Sequence, residues 1–162
     1  MRGEWKTGMR RQLLNVLHYG KKWLWKLLRV KTRGVRVMLF NNGGELLLIR
    51  HTYGRSDLFL LPGGGIRPWE APEQAARREV KEEVGCTVSD LASISTHYSE
   101  AEGKRDTVHL FRALSGDEPV ADGVEVEEAR YFPLDRLPAT VSRATMRRIQ
   151  EHLGMRKADG TW

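Results

Sequence analysis

The sequence predicts an α+β fold, an α/β/α sandwich in which a mixed β-sheet lies between helices. Three observations lead there. Two apolar runs flank Asn41-Asn42-Gly43-Gly44, a strong hairpin turn. A segment of helical period, Ala71 to Val84, comes next, where a third strand of a meander would otherwise stand. The remaining strand-like runs then precede one closing helix, without the regular alternation of a doubly wound sheet.

In chain order, strands are expected at Val35 to Phe40 and Glu45 to Arg50, on either side of the hairpin turn. Ala71 to Val84 reads as a helix because Pro72 suits a first turn, where a missing N–H costs nothing, and Gly85 suits the position past the end. Its apolar stripe is Ala76, Val80 and Val84, which should face a core. Thr87 to Thr96 and Thr107 to Leu114 read as strands. The second alternates Val108, Leu110 and Arg112 with His109, Phe111 and Ala113. A short strand is expected at Glu127 to Pro133, after a polar loop from Ser115 to Gly123. Ser142 to Leu153 closes as a helix with Met146, Ile149 and Leu153 inward and Gly154 as its stop. The division expected is a basic segment over 1–33, one domain over 34–154, and a loose tail over 155–162.

The 162 residues suffice for one domain with a proper core, and 40% hydrophobic with 30% charged residues is ordinary for a soluble globular protein. A single cysteine excludes an internal disulfide, and no Cys/His cluster offers a zinc site, which points to the cytosol. The net charge of +6 is unevenly placed. The first 36 residues carry 11 of the 27 Lys and Arg and one acid, Glu4, for a charge of 11 − 1 = +10, against 16 − 20 = −4 elsewhere. Basicity is therefore a property of the N-terminal segment.

The chemistry concentrates between Gly64 and Cys86. The order is Gly64, five residues, Glu70, seven residues, Arg78-Glu79-Val80, one residue, Glu82-Glu83, one residue, Gly85-Cys86. On a helix Glu79, Glu82 and Glu83 stand at i, i+3 and i+4, so their carboxylates share one patch. Like charges this close repel, and a hard cation such as Mg²⁺ or Mn²⁺ turns that repulsion into binding. Arg78, four residues before Glu82 and eight after Glu70, can clamp either, with Glu70 as an anchor between loop and helix. The glycines Gly63, Gly64 and Gly65 let the chain approach a ligand or metal closely.

This stretch resembles the Nudix box, complete except for Cys86 where an aliphatic residue is usual. A buried cysteine packs like a small hydrophobe, so that change is mild. The resemblance extends over about residues 34 to 153 through weaker cues: Leu48-Ile49-Arg50-His51, Leu60-Leu61-Pro62 and Arg130-Tyr131-Phe132. It implies a Nudix fold and Mg²⁺- or Mn²⁺-dependent hydrolysis of a nucleoside diphosphate linked to another moiety. Glu79, Glu82, Glu83 and the Gly64 position would hold metal, Arg78 would serve the site, and Glu70 and Gly85 would be structural. A further carboxylate is implied downstream, Glu125 or Glu128, with Glu125 preferred for its spacing from Tyr131.

Three positions depart from what many members carry: Arg67, Trp69 and Ala71. Losing a Ser or Thr cap at Ala71 costs the helix about 1 kcal/mol. Trp69 can stack on a base. Glu102 and Gly103 stand where some relatives carry a proline or tyrosine that accompanies ADP-ribose or dinucleoside polyphosphate substrates. A nucleoside triphosphate or a nucleotide sugar remains open, as do an RNA 5′ end and a sensing module without useful turnover. Arg50, His51, Tyr53 and Arg55 lie between a strand and the glycine loop, within reach of a substrate's phosphates or base.

Met9 to Val30 suits a basic helix with Trp23 and Trp25 on its flank. Packing on the domain or on a second copy in a homodimer ranks first for it. An anionic membrane surface ranks second, which would make the protein peripheral, and nucleic acid third.

Overall fold

The structure, a computed structural model, describes residues 31–99 and 105–162. The Met9 to Val30 helix expected above lies outside the described residues, as do Glu102 and Gly103.

Five strands and two helices follow in the order β1 (Lys31–Phe40), β2 (Leu46–His51), α1 (Pro72–Val84), β3 (Ser89–Ser99), β4 (Arg105–Leu114), β5 (Val126–Phe132) and α2 (Arg143–His152). They form one sheet in the order β3-β4-β1-β2-β5. Only β1 and β4 run parallel; the other neighbours are antiparallel, so the sheet is mixed as the sequence predicts. β1 begins four residues earlier than expected, because Lys31 to Gly34 keep the parallel register with Arg105 to Val108. Pairing across the sheet decides that boundary, and local propensity does not.

The hairpin turn forms as read. Asn41 Oδ1 accepts from the amides of Gly43 and Glu45, both at 2.9 Å, and Gly44 takes φ 76°.

Alternation divides the core between the two faces of the sheet. Val35, Val37, Leu47, Ile49, Phe111 and Ala113 pack against Ala76, Val80 and Val84 of α1. Met38, Phe40, Leu46, Leu48 and Leu110 pack on the other face against Ile149 of α2. Helices cover both faces, which is why Leu46 to Ile49 are all fully buried in one unbroken apolar run.

α2 is rotated from the expected face. Thr145, Arg148 and Ile149 are its buried residues, while Leu153 is 45% exposed as the cap residue. Ser142 caps the helix, its Oγ accepting from the Thr145 amide at 3.2 Å.

Arg148 turns inward because the segment expected as a loose tail comes back to meet it. Tyr98 of edge strand β3 donates from its amide to Gly160 O at 2.8 Å, and the Trp162 amide donates to Tyr98 O at 2.9 Å. Arg148 Nη1 donates to Thr161 O and to His97 Nδ1, each at 2.6 Å, and Nη2 to Glu151 Oε1 at 2.7 Å. The Trp162 ring covers the guanidinium at 5.5 Å.

Among the described residues, no helix is long and apolar enough to cross a membrane.

Candidate active site

β1 and β2 pair at the hairpin end and then diverge, and the chain from Phe59 to Gly65 fills the gap between them. Ile49 and Leu60 exchange backbone bonds of 2.9 and 2.8 Å, Val37 N donates to Pro62 O, and Val35 N donates to Gly64 O, both at 2.9 Å. This wedge turns the Gly63 amide toward α1, where it donates to Glu83 Oε2 at 2.7 Å. The Arg36 side chain of β1 holds the Gly63 carbonyl from the other side.

Two glycines here meet different demands. Gly63 has φ 135°, and a Cβ on it would overlap the Val35 carbonyl oxygen. At Gly64 a Cβ would lie 2.5 Å from Glu79 Oε2. Gly63→Ala is therefore expected to cost about 3 kcal/mol of stability. Gly64→Ala should leave Tm nearly unchanged, because a flexible carboxylate can move. Turnover should then fall on the order of 10²-fold as Glu79 is displaced. Thermal denaturation and steady-state rates on both variants check the contrast.

α1 carries the acidic residues. Its first turn lacks a capping hydroxyl, but Gln74 Oε1 accepts from the Ala71 amide at 3.1 Å and supplies part of the missing cap. Gly85 ends the helix in the left-handed conformation.

Arg78 is the hub. It grips Glu70 through Nε to Oε1 at 2.7 Å and Nη2 to Oε2 at 2.8 Å, a bidentate pair. Nη1 reaches Glu79 Oε1 at 2.6 Å and Glu82 Oε2 at 2.9 Å, and Nη2 also donates to Gly65 O at 2.9 Å. The Arg67 amide adds a bond to Glu70 Oε2 at 3.0 Å. The Arg78 bonds, and then this amide, pull the Glu70 carboxyl down to about 2, while its carboxylate partners hold Arg78 well above its usual range.

The three α1 carboxylates divide their attention. Glu79 and Glu82 turn to Arg78, whereas Glu83, 7% exposed, turns inward to Gly63. Among the described residues, no three acids, histidines or cysteines stand in a ready metal-ligating arrangement. Helical spacing alone places them on one patch; Arg78 and the glycine wedge split them.

All three nevertheless line one cleft of about 330 Å³ with Asp122 and Glu125 from the loop before β5. Asp122 Oδ1 accepts from the amides of Val124, Glu125 and Val126, each at 2.9 Å, and shapes the turn that carries Glu125. The Glu125 carbonyl accepts from Thr52 N at 3.0 Å and from His51 Nδ1 at 3.1 Å, which ties this loop to the end of β2. Burial drives the Glu83 carboxyl up to about 8, with Glu79 and Glu125 adding to the rise and Arg36 and the Gly63 amide opposing it. Negative charge is in excess in this cleft.

Of the substrate candidates read from the sequence, the structure brings some to the cleft and leaves others away from it. Tyr53 lies beside the cleft, its ring 5.2 Å from that of His51, and burial followed by Glu125 and Glu83 raises its phenol. His51 Nε2 comes within 3.8 Å of Glu83 Oε1. Arg50, one residue earlier, faces the opposite side of the sheet. It pairs with Glu127 at 3.3 Å and Glu128 at 3.0 Å and lies over Phe59 of the α2-side core. That alternation removes both Arg50 and Glu128 from the cleft. Arg55 pairs locally with Asp57 at 3.2 Å, and Trp69 is 95% exposed. Gly64 lends its carbonyl to Val35 and its missing side chain to Glu79.

Arg36, Asp122 and a second cavity escaped sequence reasoning. The cavity, about 600 Å³, lies across the glycine wedge from the acidic cleft and is lined by Arg33, Arg36, Arg67, Asp106, Gly64 and Trp162, among others. Asp122-Gly123 is a turn signal that marks the loop without marking the site.

A family model described as the NUDIX domain matches residues 30–153. The chain belongs to the Nudix hydrolase family. A Bacillus subtilis (strain 168) protein provisionally named 8-oxo-dGTP diphosphatase is 34% identical over 110 residues, 66% of this chain and 70% of that protein. The NAD-capped RNA hydrolase NudC of Stutzerimonas stutzeri is 32% identical over 116 residues, 69% of this chain but 40% of that protein's length. A MutT NUDIX hydrolase structure from Burkholderia pseudomallei shares the fold, with TM-score 0.67 at 24% identity over 75% of this chain and 97% of that one.

Nudix hydrolases generally use divalent metal ions. The donors present here fit a hard cation. They are oxygen-only, they line one cleft, and burial together with like charge destabilises the ionised form of Glu83.

Proposed function

We propose that this Nudix enzyme is a Mg²⁺- or Mn²⁺-dependent pyrophosphohydrolase of a nucleoside diphosphate linked to another moiety, of the nucleoside triphosphate or nucleotide sugar class, acting in the cytosol. The observation that carries the reading is the meeting of two unlike sites at Gly64. On one side lies an acidic cleft, on the other an arginine-lined cavity large enough for a nucleoside.

In this reading Glu79, Glu82 and Glu83 hold the cation, with Glu125 facing them across the cleft. When bound, the cation neutralises phosphate charge and favours water as a nucleophile. The chain's own groups do the rest. Arg36 and Arg67 meet the phosphates that cross the glycine wedge. Arg78 keeps Glu79 and Glu82 aligned along α1. A carboxylate of the cleft orients the water and takes its proton as the new P–O bond forms and the anhydride P–O bond breaks. Tyr53 and His51 close the cleft from β2.

The relatives named for 8-oxo-dGTP and for NAD-capped RNA place two ligands on the panel to be assayed. Release of phosphate and nucleotide is measured from nucleoside triphosphates, nucleotide sugars, dinucleoside polyphosphates and capped RNA, with Mg²⁺ or Mn²⁺. Metal-dependent hydrolysis of one class, lost in Glu82→Gln, is the expected result. Nucleotide binding without turnover across the panel would replace the enzyme with a sensing module.

A further inference from the structure

Trp162 lines the 600 Å³ cavity together with Arg33, Arg36, Arg67 and Asp106. Its place there is held from four directions. The amide donates to Tyr98 O at 2.9 Å, and Thr161 O, one residue earlier, accepts from the buried Arg148 at 2.6 Å. The indole packs on the Arg148 guanidinium at 5.5 Å and edge-on to His97 at 5.8 Å. Asp159 Oδ1 fastens the turn before it by accepting from the Thr161 amide at 3.0 Å and hydroxyl at 2.7 Å. The ring is half-buried, and among the described residues it is the one aromatic lining the cavity, whose other walls include the arginines, the backbone of the glycine wedge and the aliphatic Ile66, Pro68 and Val108.

From this placement we propose that Trp162 is a specificity residue, the stacking wall against which the nucleobase of a purine nucleotide lies. Arg36 and Arg67 then direct the phosphates over Gly64 into the acidic cleft. The proposal rests on the nucleotide reading of the site and deepens it from phosphate to base.

The physical reason is threefold. An indole offers a flat face to any base, and the two-ring purines cover more of it than pyrimidines do. A ring already fixed by its amide, by Arg148 and by His97 loses little further freedom on binding, so most of the stacking appears as affinity. Finally, the three arginines supply charge for phosphates, and Ile66, Pro68 and Val108 supply apolar contact but no flat π-face for a base. Without Trp162 the cavity would keep its aliphatic contacts but lose the face on which a base stacks.

The test is calorimetric binding of GDP, UDP and inorganic pyrophosphate to the full chain in Ca²⁺, with Trp162→Leu and Trp162→Phe beside the parent. Leucine keeps apolar bulk over Arg148 and removes the π-face; phenylalanine keeps a smaller one. Trp162→Leu should weaken GDP about tenfold, the low end of what one stacked base contributes. It should weaken UDP less and pyrophosphate by less than about twofold, and Trp162→Phe should recover most of the GDP loss. Equal weakening of all three ligands, which a merely structural anchor would give, overturns the proposal. So does GDP binding that Trp162→Leu leaves unchanged.

The outcome is separable from that of the hydrolase reading. Parent protein that turns over nucleotides while GDP binding ignores Trp162→Leu sinks only the base wall. Selective loss of GDP binding in a protein without turnover sinks only the hydrolase.

Discussion

Glu83→Gln is expected to lower turnover on the order of 10³-fold while leaving the thermal midpoint within about 2 °C of the parent, as rates and denaturation of the same preparation will show. The amide is the same size as the carboxylate, and its oxygen can still accept the 2.7 Å bond from the Gly63 amide, so the glycine wedge stays seated. Removing a buried charge that two neighbouring carboxylates already disfavour does not weaken the fold. What is lost is one negative oxygen ligand at the most buried point of the cleft. Cation affinity measured by calorimetry should fall together with the rate. Glu82→Gln should follow the same direction, with its ion pairs to Arg78 at 2.9 Å and to Arg67 at 3.3 Å as the internal contacts at risk. Turnover within about tenfold of the parent in both variants would remove these residues from the catalytic assignment.

Arg148→Met should destabilise the protein by about 3 kcal/mol, a fall of roughly 10 °C in Tm for a domain of this size. The guanidinium is fully buried and is the shared donor for His97, Thr161 and Glu151. Methionine fills much of the volume but leaves a nearly buried carboxylate and a backbone carbonyl without that donor. Residues 160–162 would then lose their hold on α2, and limited proteolysis should clip them before the rest of the chain.

The same cluster makes stability depend on pH. Burial first, and the Arg148 charge second, lower the His97 pKa below its usual 6.5; Arg147 acts in the same direction, while Thr161 and Asp159 oppose it. A group whose folded pKa is depressed favours the folded state fully above its unfolded value. Stability should therefore hold above pH ~6.5 and decline as the pH falls from there through the folded pKa. In Arg148→Met the decline should be shallower, since one of the two causes has gone.

Much of this site could be read along the chain because its parts are local. The box helix brings Arg78, Glu79, Glu82 and Glu83 within one turn of each other, and helical geometry obliges Arg78 to meet Glu82 wherever the helix packs. The hairpin at Asn41 to Gly44 is local in the same sense, closed by its own asparagine side chain. Even the contact of Arg78 with Glu70 spans only eight residues.

Arg50 shows where such reading stops. Its neighbours in sequence put it near the glycine loop, but strand alternation sends it through to the α2 face, and only His51 and Tyr53 stay with the cleft. Arg148 shows the converse. It lies off the stripe of Met146, Ile149 and Leu153 that the sequence marks as inward, and it is buried because a distant segment brings the acceptors that make a buried charge tolerable.

By itself, then, the sequence determined the cluster of carboxylates, the helix that carries it, the glycines before it and the apolar run of β2. Each depends on spacing within a turn or on strand periodicity. The tertiary structure alone decided that Arg36 reaches the Gly63 carbonyl, that Asp122 shapes the turn carrying Glu125, and that Trp162 walls a cavity next to Gly64. Those placements depend on the divergence of β1 from β2 and on the return of 160–162 to β3. Both are pairings between segments far apart in the chain, which no local pattern encodes.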